Sequence, residues 1–138
     1  AIGKWHVGGK DFGPLEQGFD FAHAGQARTA PSATEGSKGE YDLTAAAERF
    51  IEDNRERPFL VYLAHNTPHI PYAAQPGQIA RHKGAFEPVY AAVIERLDDT
   101  VGRLLGKLDA LQLSDNTIVA APTWVPGPAC ACWKDLNR

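Results

Sequence analysis

The sequence predicts an α/β protein, a mostly parallel sheet flanked by helices, and three observations carry that expectation. Phe59 to Ala64 is an unbroken apolar run, in part β-branched and aromatic, bounded by Pro58. Without polar alternation, such a run reads as a strand buried on both faces, as in a parallel sheet covered by helices. A buried helical turn is the competing reading, and the flanking prolines and short length disfavour it. Along the chain the elements follow as helix, strand, helix, strand, the order of βαβ connections in a layered sandwich. Finally, the run turns polar at once, through His65, Asn66, Thr67, Pro68 and His69. Open α/β sheets bind ligands beyond the carboxyl ends of their strands, so two imidazoles and an amide stand where such a fold does its chemistry.

Composition sets the bounds. A chain of 138 residues can bury one core, and 43% hydrophobic with 22% charged residues is the balance of a soluble globular protein. Its net charge of -3, with no basic stripe, argues against a nucleic-acid partner. No apolar segment approaches membrane-spanning length and no signal peptide is legible, so no membrane partner is expected. The opening AIGKWH has no methionine and reads as the end of a strand, from which we expect a piece of a longer protein. Both cysteines, Cys130 and Cys132, lie in the last few residues and say little about redox compartment.

The N-terminal GKWHVGG has a useful geometry. If it is extended, Lys4 and His6 share a face and Trp5 points away, and a cation beside an imidazole suits an anion such as sulfate or phosphate. The competing reading is an exposed strand end with incidental charges. Lys10 to Tyr41 is rich in Gly, Ala, Ser and Pro and reads as a long loop with one short element around GFDFAH, His23 being a solvated residue in it.

Asp42 to Arg55 is predicted helical, with Asp42 or Thr44 as cap and Leu43, Ala46, Ala47, Phe50 and Ile51 at helical spacing. Ile70 to Phe86 reads as a loop, with Arg81, His82 and Lys83 as a solvated basic cluster. Glu87 to Leu113 is the strongest helix, with Pro88 in its first turn and an apolar stripe from Tyr90 to Leu111. The adjacent Asp98 and Asp99 diverge by about 100° on a helix and read as a solvated face, not metal ligands. Ser114 to Asn116 make a turn, and Thr117 to Ala121 begin another strand. From Pro122 the tail PTWVPGPACACWKDLNR loses all periodicity, and Cys130-Ala131-Cys132 lacks the second ligand pair of a zinc site.

Taken in order, GKWHVGG, GFDF, PFLVYLAHNTPHIP and the long helix ending in LDALQLSDNTIV resemble the type I sulfatase family across 1–121. The resemblance implies an alkaline-phosphatase-like sandwich and hydrolysis of sulfate esters on a sulfated small molecule or glycan. It further implies a formylglycine made from a Cys or Ser and a bound divalent cation, usually calcium. Carried over, Lys4 contacts the sulfate and the formylglycine. His6 hydrogen-bonds the formylglycine hydroxyls and acts as the base that expels sulfate. His69 contacts the ester oxygen and protonates the leaving alcohol, so Lys4 and His69 also bind substrate. These roles fit a cation stabilising charge on sulfuryl oxygens and imidazoles moving protons near neutrality. His65 matches no position of the pattern.

The departures matter as much. No C/S-x-P-S/T-R nucleophile motif occurs, and the paired calcium-binding aspartates are missing. An Asp-Asn pair expected after the Thr117–Ala121 strand is replaced by the tail, while Asp115-Asn116 precedes that strand and so stands at the wrong end of the sheet. We therefore expect no metal ligands in this chain, a partial catalytic domain over 1–121, and an atypical tail over 122–138, a frameshifted or misassembled end. The expected parent activity is sulfuric ester hydrolysis, with the chain itself inactive. Two alternatives stand beside it: a related hydrolase of phosphate esters or phosphonates, and a non-catalytic anion-binding protein. Members of the family are usually periplasmic, secreted or lysosomal, and nothing in this sequence selects among these.

Overall fold

The structure, a computed structural model, describes residues 1–25 and 38–121. The tail expected over 122–138, with Cys130 and Cys132, lies outside the described residues. Strand β1 (Ile2–Gly3) pairs in parallel with β2 (Leu63–Ala64), Ile2 opposite Leu63 and Gly3 opposite Ala64. On its other side β1 makes a parallel bridge to His23. Alternate amides of the central strand reach opposite neighbours: Ile2 N–H and Lys4 N–H donate to Tyr62 O and Ala64 O at 2.8 Å, while Gly3 N–H donates to His23 O at 2.7 Å. That even, slanted spacing is the parallel ladder, and it supplies the mostly parallel sheet that the sequence predicts.

Helix α1 (Glu40–Asp53) returns the chain between β1 and β2. It starts two residues before the expected Asp42. Gly39, at φ 78°, makes the left-handed turn into it. Neither expected side chain caps the helix: Thr44 Oγ1 donates back to Glu40 O at 2.6 Å, and Asp42 Oδ2 lies 3.1 Å from the His23 ring. His23 is thus a paired, half-buried residue and not the solvated one expected. At the far end Asn54 closes the helix, its amide donating to Phe50 O at 2.7 Å. Leu43, Ala46 and Ala47 pack against Ile2, with Val61, Leu63, Phe50 and Leu104 around them.

Helix α3 (Pro88–Ala110) falls inside its expected bounds and lies against α1, where Arg103 and Lys107 pair with Glu48 and Glu52 at 2.6 and 2.7 Å. A short helix, α2 (Pro76–Arg81), occupies what reads in sequence as loop; Gln75 and Gln78 cap it reciprocally. Arg81 and His82 are not free in solvent, for both reach Glu95 of α3, at 2.8 and 3.0 Å.

Two strand expectations need correction. Only Leu63–Ala64 of the apolar run is paired, and the run is not buried on both faces: Leu60 is 75% and Tyr62 45% exposed. Val61 and Leu63 face the α1 core, whereas Tyr62 lies against the Trp5 ring, edge-on, and the Phe19 ring, tilted. An unbroken apolar pattern records two faces able to be buried; the described residues cover one. Likewise Thr117–Ala121 pairs with no strand among the described residues, and Ile118 is 97% exposed.

Candidate functional site

Beyond the carboxyl ends of β1 and β2 lies an open depression of about 350 Å³, lined by Lys4, His65, Asn66, Thr67, Pro68 and His69. The ladder explains its composition. Lys4 follows β1 and its amide is held on Ala64 O, the last carbonyl of β2, so its side chain starts beside the residues that leave β2. Gly3, at φ 96°, lets the two backbones approach so closely that a Cβ there would sit 2.0 Å from Ala64 O.

Of the three residues expected to act, the structure brings Lys4 and His69 to the same depression. His6 is exposed and is not among the lining residues. The loop turns at Asn66, whose carbonyl accepts the His69 N–H at 3.1 Å. His69 Nδ1 lies 2.6 Å from Ile70 O. A carbonyl only accepts, so this contact fixes the proton on Nδ1 and leaves Nε2 as the working nitrogen, a lone pair when the ring is neutral and a second donor when it is charged.

Three further residues, Glu40, Thr67 and Lys38, support this rim, His65 lines it, and motif matching gave none of the four a role. Glu40 is fully buried at the start of α1. Its Oε2 accepts Lys38 N–H at 2.8 Å and its Oε1 accepts the Thr67 hydroxyl. The buried Lys38 donates through Nζ to the carbonyl of His69. Burial pushes the Lys38 ammonium below its ordinary range; Glu40 counters this and the neighbouring Lys4 adds to it. His65 has both ring nitrogens buried without a hydrogen-bond partner. Burial lowers its pKa, against a smaller upward pull from Glu40, so it is neutral at pH 7. The one sequence signal for Glu40 is an acidic residue at the edge of a Gly/Ser-rich stretch just before a helical pattern, where a carboxylate meets the positive end of the helix dipole.

His65 sets a pH dependence. It is neutral in the fold and titrates near the ordinary imidazole value of about 6.5 when unfolded, so below that value the unfolded chain binds the extra proton. Stability is therefore full above about pH 6.5 and falls as pH drops toward the lower folded value, with a slope of at most about 1.4 kcal/mol per pH unit. We expect His65→Asn to flatten the difference in urea stability between pH 7.5 and 5.5. An unchanged slope in the variant would show that another group causes the loss.

The electrostatics favour an anion. The Lys4 ammonium and the His69 imidazole line the depression, the Lys38 ammonium is held on the His69 carbonyl, and the buried Glu40 carboxylate has each oxygen engaged by a protein donor. Calcium needs six to eight oxygen ligands. The lining offers one amide, one hydroxyl and no free carboxylate, and among the described residues no group of three or more His, Cys, Asp or Glu is placed to hold a metal. The lining holds no Cys or Ser to supply a formylglycine either. These residues do not by themselves fit either group. Among the described residues, no helix is long and apolar enough to cross a membrane.

Comparison with known proteins bears on the family and the fold. The sequence model of the Sulfatase family matches residues 1–121. An N-acetylgalactosamine-6-O-sulfatase of Bacteroides thetaiotaomicron is 36% identical over 77 residues, 56% of this chain and 14% of that protein. The steryl-sulfatase of Mus musculus is 36% identical over 77 residues, again 56% of this chain and 12% of that protein. The crystal structure of Ps i-CgsB in complex with k-i-k-neocarrahexaose superposes with a TM-score of 0.69 at 24% identity, over 83% of this chain and 34% of that one. At that identity the likeness is one of fold, and it extends the α/β expectation to a layered sandwich. The chain thus spans about a third or less of the length of the proteins it matches.

Proposed function

This chain belongs to the sulfatase family, and we propose that its depression holds the sulfuryl group of a sulfate ester in a sulfuric ester hydrolase. The observation that carries this reading is the meeting of Lys4 and His69 in one depression past the ends of two parallel strands. The Lys4 ammonium neutralises charge on the sulfuryl oxygens, which grows as the ester bond breaks. His69, with Nδ1 committed to Ile70 O, presents a protonated Nε2 to the ester oxygen and gives its proton to the departing alcohol. His6, exposed two residues after Lys4, is our proposed base for the step that releases sulfate. Calcium and formylglycine would belong to the proposed parent enzyme.

A sterol and a sugar are very different alcohols, and each of the two relatives described above is named for a sulfate ester of one of them. What such substrates share is the sulfate, so we propose a sulfated glycan or sulfated small molecule without choosing the alcohol. This chain alone is expected to bind and not to turn over, since the sequence has no C/S-x-P-S/T-R motif to supply the nucleophile.

Titration with inorganic sulfate, followed by NMR of the His69 ring and the Lys4 side chain, tests the reading. Shifts are expected at both residues. Lys4→Ala is expected to weaken binding by about tenfold or more, the worth of one charge-assisted hydrogen bond. Sulfate shifts confined to other residues would remove the site. Tighter binding of phosphate than of sulfate would favour a phosphate-ester or phosphonate hydrolase instead. Release of 4-nitrophenol from 4-nitrophenyl sulfate, with calcium present and lost in Lys4→Ala, would overturn the inactivity of the chain.

A further inference from the structure

We infer that Glu40 is a positioning residue: with Thr67 it forms a latch between the start of α1 and the loop after β2, and this latch sets where His69 stands. Its functional consequence rests on the sulfate reading above; the latch itself does not.

The loop has little else to hold it. Pro68, His69, Ile70, Pro71 and Tyr72 are all exposed, and Thr67 is the one buried residue between Phe59 and Ala73. Apart from the Tyr72 ring, whose centroid lies 5.1 Å from that of Tyr90 on α3, apolar packing gives the loop little hold. Thr67 is held by its hydroxyl, which donates to Glu40 Oε1. The other oxygen of that carboxylate, Oε2, takes the Lys38 amide at 2.8 Å. From the same short stretch Lys38 Nζ donates to the carbonyl of His69. Residues 38 to 40 thus grip the loop at both ends of a three-residue span, and His69 is the last residue of that span.

A buried carboxylate is an expensive way to fill space. Without partners it costs several kcal/mol, and an apolar side chain of similar volume would serve packing as well. Here both oxygens are satisfied and the helix N-terminus favours the charge. What a carboxylate supplies and a leucine does not is a directional acceptor aimed at one hydroxyl of the loop. Fixing an imidazole in this way matters because proton transfer depends on sub-ångström placement.

The test uses the full chain and four variants: Glu40→Gln, Thr67→Val, the double variant of these two, and Thr67→Ser. Amide hydrogen exchange is read at His69, whose N–H bonds to Asn66 O, and at Ala47 to Ile51 in the middle of α1. Glu40→Gln and Thr67→Val are each expected to speed exchange at His69 by about tenfold while the α1 amides keep their protection. The double variant should add little to either single one, because both remove the same contact. Thr67→Ser keeps the hydroxyl and should restore the wild-type rate. Unchanged exchange at His69 in folded Thr67→Val overturns the latch, as does an equal loss of protection throughout α1, which would make Glu40 a residue of general stability. Sulfate affinity, measured in parallel, is expected to fall about threefold to tenfold in Thr67→Val. If the wild-type protein ignores sulfate, the sulfate reading fails while the exchange rates still decide the latch.

Discussion

Gly3→Ala is expected to destabilise the protein by about 3 kcal/mol or more, enough to consume much of the stability of a domain this size. A Cβ at this position would lie 2.0 Å from Ala64 O, 2.8 Å from Ala64 C and 3.3 Å from Leu43 Cδ1. The two nearest atoms are backbone, so no rotamer change relieves the clash. The residue also sits at φ 96°, a conformation that itself costs any L side chain about 1–3 kcal/mol. Relief requires β1 and β2 to separate, and that breaks the bond from Lys4 N–H to Ala64 O which aligns Lys4 with the depression. Loss of sulfate response should therefore accompany loss of stability. Gly9→Ala is the control: a Cβ there meets nothing within 4 Å and no unusual φ is required. Urea denaturation followed by circular dichroism measures both. A Gly3→Ala midpoint close to that of Gly9→Ala would show that β1 and β2 tolerate separation.

The same contrast between local pattern and long-range contact decides what could be read from the sequence. Helix α3 was legible because nine apolar residues at three- and four-residue spacing define one face without reference to anything else in the chain. Helix α1 was legible for the same reason, to within two residues at its start. Helix α2 was not, because Pro76 and Gly77 read as loop punctuation, although proline is favoured in a first helical turn. The parallel sheet followed from element order, but periodicity is silent on whether a partner covers the second face of a strand. Hence Leu60 and Ile118 read as core and lie exposed.

At the site, Lys4 and His69 were found through motifs that surround them. Glu40 was not, since its role is defined by a hydroxyl 27 residues further on. Lys38 likewise acts on a carbonyl 31 residues away. No spacing rule links such pairs, and a buried carboxylate in a Gly/Ser-rich stretch carries no periodic signature. His65 matches no position of the family pattern, yet its unpartnered, buried ring is the group expected to make the fold sensitive to acid.

Leu43→Ala and Leu60→Ala put this distinction to a direct measurement. By composition the two leucines are alike, each inside a strongly apolar segment. Leu43 is 1% exposed and its methyl groups stand against Gly3 and Gly25, where added Cβ atoms would come within 3.3 and 2.5 Å of them. It thus fills a cradle made by the central strand and the backbone just beyond His23. Truncation there should cost about 3–5 kcal/mol, the transfer term plus a cavity that the glycine backbones cannot close. Leu60 has 75% of its surface in solvent already, so its truncation should change stability by no more than about 0.5 kcal/mol. Because Leu43 lies three residues from Glu40 on α1, its loss should also loosen the latch on the His69 loop, whereas Leu60→Ala should leave exchange at His69 untouched. Equal stability losses in the two variants would mean that the second face of the sheet is buried after all, and that the strand belongs to the core on both sides.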